Sequence, residues 1–196
     1  KGQVQDVTAA LQWIFDHIHQ YGGDSEQISV TGDSAGAQLA FLVCAASANE
    51  AYRRSYEITS LSKPIKALGL TCPVSCLHEM AKSQDEMTRE WMQVLYGGEP
   101  EQSSLWNCSD YADILTDCKE LPSIYILTTK GDQKYYRQSL ALHDLMNRKQ
   151  IEHVYREWES MENKDLGHVF NVLYPACQDS RAANQEMVYF FLNVRR

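Results

Sequence analysis

Residues 28–37 read Ile-Ser-Val-Thr-Gly-Asp-Ser-Ala-Gly-Ala. A β-branched run ends on Gly32-Asp33-Ser34-Ala35-Gly36, and an alanine-rich stretch follows at once. A serine between two glycines, at the end of one element and the head of another, is where a backbone can be bent to lift a hydroxyl into the open. Two further groups complete a possible chemistry. Asp132 follows the run Ser123–Thr129 in Lys-Gly-Asp-Gln, and His168 lies in Asp-Leu-Gly-His-Val-Phe. A carboxylate that accepts the Nδ1 proton of a histidine fixes its tautomer. The histidine can then take the proton of a serine hydroxyl that attacks a carbonyl.

Each residue also has a plainer reading. Gly-x-Ser-x-Gly arises by chance, and Ser34 could simply cap a helix after a tight turn. Gly-Asp is common in surface turns. Asp144 and Asp165 compete with Asp132, but the first falls inside a helical pattern and the second sits close to the histidine loop. His17, His19, His78, His143 and His153 all fall in or beside patterned helices and a strand. His168 alone follows a glycine and precedes two apolar anchors, Val169 and Phe170.

The elements that must hold these residues can be read from periodicity. Residues 4–20 carry apolar groups at helical spacing and stop at Gly22-Gly23, a left-handed cap. Residues 28–32 read as a strand and 35–48 as a buried helix. Residues 65–72 form a second strand, 86–96 a helix ending at Gly97-Gly98, and 99–115 a loop with a short helix. Ser123–Thr129 is a third strand. Residues 134–149 form an amphipathic helix with Leu140, Leu142, Leu145 and Met146 as its apolar positions. Residues 151–158 are a fourth strand, and 185–194 a closing helix. Strands alternating with helices imply α/β architecture with a parallel sheet covered on both faces. In such sheets functional groups collect at the carboxyl ends of strands. Ser34, Asp132 and His168 follow three of the four, in the order of an α/β-hydrolase triad.

Composition narrows the partners. The 196 residues hold 26 acidic against 18 basic groups, a net charge of −8, which argues against nucleic acid. Arg53-Arg54 and Arg195-Arg196 are the tight basic pairs and read as solvated charges. No apolar run reaches the ~20 residues of a membrane span. Six cysteines are scattered at 44, 72, 76, 108, 118 and 177. Cys72 and Cys76 with His78 lack common zinc-site spacing, so no metal and no cofactor is expected. Cys44 reads as a core thiol. Free-looking thiols and no visible signal segment favour a cytoplasmic location.

The stretch Asp6–Ala40 resembles the nucleophile-elbow region of α/β-hydrolase esterases related to hormone-sensitive lipase and bacterial acetyl esterases. Asp6, Ala10 and Trp13 match that family's helix before the elbow, and Tyr21-Gly22-Gly23-Asp24 and Gly-Asp-Ser-Ala-Gly also match. Leu121–Gln133 is similar to its strand carrying the acid, with Gln133-Lys134 standing where Pro-Leu is frequent. Gly167–Pro175 is similar to its histidine loop. The resemblance implies one α/β-hydrolase domain over 1–196, with a cap-like or loop insertion at about 77–118. It implies a serine carboxylesterase for small acetyl-like esters, with Ser34, Asp132 and His168 as the triad. Gly32, Asp33 and Gly36 would form the elbow, and the Ala35 N–H would serve the oxyanion. Trp91, Tyr96, Trp106 and Tyr111 fall where an acyl pocket is often built, or else pack the core. The family's His-Gly-Gly oxyanion motif and its early strands do not occur in this sequence. The chain is therefore expected to be the C-terminal portion of a hydrolase and poorly active by itself. An amidase or arylformamidase, or an inactive binding protein on the same fold, are the alternatives. The partner expected is a small-molecule ester, and a homodimer is compatible with the sequence.

Overall fold

The computed structural model describes residues 1–118, 120–162 and 164–194; the Arg195-Arg196 pair lies outside them. The chain opens with α1 (Gly2–His17), which tightens into a 3₁₀ turn and stops at Gly22, φ 78°. Then follow β1 (Ser29–Asp33), α2 (Ala35–Ala48), α3 (Glu50–Tyr56) and β2 (Ala67–Thr71). Residues 77–118 carry α4 (Leu77–Ala81), α5 (Glu86–Tyr96) and α6 (Tyr111–Asp117), with short 3₁₀ turns between α5 and α6. The chain continues through β3 (Ser123–Thr128), α7 (Tyr136–Arg148), β4 (His153–Glu157), α8 (Phe170–Leu173) and α9 (Gln178–Asn193).

The described strands form one parallel sheet in the order β1-β2-β3-β4. β2 is buried at every position, while β1 and β4 are half-exposed. That difference explains why Ala67–Thr71 reads as a continuous apolar run and His153–Glu157 as an alternating one. Leu68, Leu70, Ile124 and Ile126 pack with α1, α2 and α7. Tyr125 and Leu127 face the other way, onto Phe170, Ala183 and Met187 of α8 and α9. The sheet is thus covered on both sides, and its carboxyl ends are left free to carry polar groups.

Helix α2 is apolar nearly all round because it is buried from Ala37 to Ala46 apart from Leu39. It lies against β1 so closely that a Cβ on Gly32 would stand 2.3 Å from the Gly36 carbonyl oxygen. Gly36 itself is not constrained in this way: a Cβ there meets nothing nearer than Asp33 Oδ1 at 4.0 Å. Of the two elbow glycines, close approach of backbone therefore requires Gly32. Leu140 is corrected, from the apolar face of α7 to its exposed side; Leu142 and Met146 carry the burial. Among the described residues no helix is long and apolar enough to cross a membrane. Arg53 and Arg54 satisfy the Ser47 carbonyl and Glu50 on the surface of α3.

The two glycines should therefore separate in a urea-unfolding experiment. Gly32→Ala is expected to cost about 2–3 kcal/mol, since backbone must move to admit the methyl. Gly36→Ala should change stability by between zero and about +1 kcal/mol, because Ala is the better helix former.

Candidate active site

Ser34 sits between β1 and α2 with φ 53° and ψ −119°. A non-glycine residue in this region stores about 1–3 kcal/mol and persists only where its surroundings over-determine it. Three backbone hydrogen bonds do so. The Ser34 N–H donates to the Thr71 carbonyl at 2.9 Å, and the Ser34 carbonyl accepts from Gln38 and Val74, each at 3.3 Å. The hydroxyl makes no capping bond to α2. Ser34 is thus not the ordinary helix-capping serine, which has extended backbone and an engaged side chain. The Ala35 N–H opens α2, among the amides a helix leaves without an internal partner and at its positive end.

Asp132 lies just before α7 and is 1% exposed. Its Oδ1 accepts from the backbone N–H groups of Lys134 (3.3 Å) and Tyr135 (3.0 Å). Its Oδ2 takes the Nδ1–H of His168 at 2.8 Å. Nδ1 is the protonated ring nitrogen in that contact, so Nε2 is left as the acceptor. The Tyr135 ring packs against the imidazole, centroids 4.9 Å apart.

His168 is placed by its loop. Val169, next in sequence, has φ 49° and is buried, as is Phe170, which fulfils the anchoring expected of both. Downstream, Asp179 on α9 accepts from Trp158 Nε1, Ser160 Oγ and the Met161 N–H, all at 2.9 Å. These three donors belong to the end of β4 and the loop leading to His168. Burial acts to raise the Asp179 carboxyl, but its hydrogen bonds outweigh that and hold it below the ordinary carboxylate value.

Ser34 and Ala35 open on a cavity of about 330 Å³ walled by Leu42, Val74, Trp91, Met92 and Tyr135, among others. Tyr135 therefore touches both this cavity and His168. Of the four aromatic candidates for a pocket, Trp91 and Tyr96 line it. Trp106 stacks on His78 beside Tyr96. Tyr111 is core, stacked on Phe41 with its hydroxyl on the Ala37 carbonyl. Lys134, unremarked by sequence beyond its departure from Pro-Leu, lies over the Trp91 and Tyr135 rings at 5.2 and 5.3 Å. Asp179 also went unnoticed in the sequence, because a helix-borne aspartate carries no local motif.

Among the described residues, two groups bring together three side chains with metal-ligand atoms: Cys72, Asp132 and His168, and Glu162, Cys177 and Asp179. In the first, the carboxylate and imidazole are already bonded to each other. Burial also pushes the Cys72 thiol up to about 12, a protonated form unsuited to ligation.

The family model for the alpha/beta hydrolase fold matches residues 1–171. The chain belongs to the alpha/beta hydrolase fold family. Esterase B from Lactobacillus rhamnosis, solved with a tributyrin phosphonate inhibitor, superposes with a TM-score of 0.88 at 26% identity. That match covers 98% of this chain and 60% of esterase B. The probable carboxylic ester hydrolase LipM of Mycobacterium tuberculosis is 25% identical over 65% of this chain and 29% of its own length. Esterase LipQ of the same organism is 39% identical over 28% of this chain and 13% of its own length. The chain spans less than two thirds of the length of each of these relatives. Within the hydrolase fold, β1, β3 and β4 are the strands whose ends lead to Ser34, Asp132 and His168.

Asp179→Ala, which strands three donors, is expected to lower stability by roughly 3 kcal/mol near neutral pH. A carboxyl held low in the folded state stabilises above its unfolded value, about 3.9, and loses that contribution as pH falls through the folded value. Urea unfolding at pH 7, 5 and 3 should show the deficit of the variant constant at the first two and smaller at the third.

Proposed function

We propose that this chain carries the nucleophile, acid and base of a carboxylic ester hydrolase acting on small acyl esters. The single observation that carries the reading is the pairing of two features. A serine is held at positive φ with its hydroxyl uncommitted to the helix behind it. A histidine is oriented by a buried aspartate so that Nε2 is its basic nitrogen.

In this reading His168 Nε2 takes the Ser34 hydroxyl proton as Oγ attacks the ester carbonyl. Asp132 stabilises the imidazolium that results, and its two backbone donors hold the carboxylate in place. The Ala35 N–H meets the developing oxyanion at the head of α2, where the helix dipole adds to the hydrogen bond. The imidazolium then gives its proton to the leaving alcohol, and water reverses the sequence to free the acyl group. Gly32 and Asp33 complete the elbow, with Gly36 inside the first turn of α2. The cavity beside Ser34 has apolar walls and ample room for acetyl or butyryl chains. The tributyrin phosphonate held by esterase B is of that class.

Hydrolysis of p-nitrophenyl acetate and butyrate tests the proposal. Ser34→Ala should lower kcat by about 10⁴-fold or more, and Asp132→Asn by about 10³–10⁴-fold through loss of the correct tautomer. Activity unchanged in Ser34→Ala would overturn the assignment.

A further inference from the structure

Resting on that reading, we infer that the acyl group this site takes carries a hydroxyl, and that Gln38 receives its hydrogen bond. The cavity beside Ser34 is mostly apolar, but three polar side chains meet in one part of its wall, Gln38, Tyr96 and Ser109. Gln38 stands one turn after the nucleophile on α2. Residues four apart share a helix face, and Ser34, Gln38 and Leu42 all line the cavity. An acyl chain joined to Ser34 Oγ therefore has Gln38 as its next neighbour along that face. One helical turn advances about 5.4 Å, a distance that a butyryl chain spans.

Gln38 is 6% exposed, and its amide is only half engaged. Nε2 donates to the Ser109 carbonyl. A carbonyl can only accept, so that contact fixes which end of the amide is nitrogen. Oε1 is left without a donor among the described residues. A buried acceptor with no partner is unfavourable, and native structures rarely keep one without a reason. Here the residue borders on space in which a ligand can supply the missing donor.

The neighbouring hydrogen bonds define what that ligand must offer. Ser109 Oγ gives its one proton to the Trp106 carbonyl at 3.1 Å. The Tyr96 hydroxyl, 2.5 Å from Ser109 Oγ, must then be the donor of that pair. Its proton is committed and its oxygen keeps a free lone pair. This part of the wall thus presents two acceptors, Gln38 Oε1 and the Tyr96 oxygen, and no free donor. A carbonyl, ether or carboxylate on the ligand would face acceptors alone. An ammonium would donate, but among the described residues the cavity lining holds no carboxylate to balance its charge. A neutral hydroxyl is received without that cost. An unsubstituted chain leaves Oε1 unpaired, which is how a buried polar group discriminates against an analogue that lacks the hydroxyl.

The experiment follows hydrolysis of ethyl butyrate and of each enantiomer of ethyl 3-hydroxybutyrate by pH-stat. It compares the full parent chain with Gln38→Met, which keeps the shape of the side chain and removes its amide. The quantity read is the ratio of kcat/KM for the hydroxy ester to that for the plain one. The intrinsic reactivity of each ester is the same with either protein, and damage to the serine turn lowers both esters alike, so a change in the ratio reports the hydroxyl contact. For one enantiomer the ratio is expected to be about tenfold higher in the parent than in Gln38→Met. An equal or lower ratio in the parent for both enantiomers overturns the inference. Should Gln38→Met fail to fold, Gln38→Asn decides, because it keeps the amide and withdraws its oxygen by one methylene: a fallen ratio supports the inference and an unchanged one overturns it. A parent chain that hydrolyses none of these esters refutes the esterase reading alone. Binding of the same esters to Ser34→Ala, read through the fluorescence of Trp91 in the cavity wall, then decides the role of Gln38. Tighter binding of one hydroxy ester that disappears when Gln38→Met is added supports it, and equal binding of all three overturns it.

Discussion

The site depends on one reversal of the chain, where β1 ends and α2 begins within a single residue. The backbone of Gly32 passes against the Gly36 carbonyl with no room for a methyl. Ser34 takes up the change of direction at φ 53°. Neither feature is favourable by itself. They are held because α2 is buried along most of its length and because β2 offers Thr71 and Val74 as backbone partners for Ser34. The stability of a large apolar helix thus supports a local strain that lifts one hydroxyl clear of its own helix.

The other two groups arrive by the same logic of the sheet. Parallel strands bring their carboxyl ends to one edge, so Asp132 and His168 meet across a long stretch of sequence, and the Ser34 turn follows β1 at the same edge of the sheet. Asp132 is fixed by amides that precede α7, and His168 by a loop tied down through Asp179 and the buried Val169 and Phe170. Positive φ recurs at Ser34, Cys72 and Val169. The other described non-glycine residues at positive φ, Glu57 and Gln150, follow the ends of α3 and α7, where a left-handed residue commonly stops a helix.

Much of this was legible from periodicity and punctuation. Alternation of apolar runs and amphipathic stretches predicts all four described strands and places Ser34, Asp132 and His168 after them. The long helices α1, α2, α5 and α7 follow from their spacing and stops. What escaped has a physical reason. Helix α3 is seven residues long, capped by Asn49, and too short for its period to register. Helix α9 starts at Gln178, earlier than its apolar segment, because its first turns bury Asp179, Ser180 and Ala183 rather than large side chains. Leu140 looks like core by type but faces outward. Asp179 acts through contacts made across the fold, and no neighbour in sequence announces it. Tyr111 could not be assigned to pocket or core until its stacking on Phe41 was known.

The account centres on an Ser34 hydroxyl made nucleophilic by His168 and Asp132. The most direct measurement is covalent: treat the chain with an alkyl phosphonate ester and locate the adduct by peptide mass spectrometry. The account predicts a single stoichiometric phosphonyl group on the peptide that contains Ser34, formed far more slowly when His168 is replaced by alanine. An adduct on another residue, or one that forms at the parent rate without His168, would contradict it.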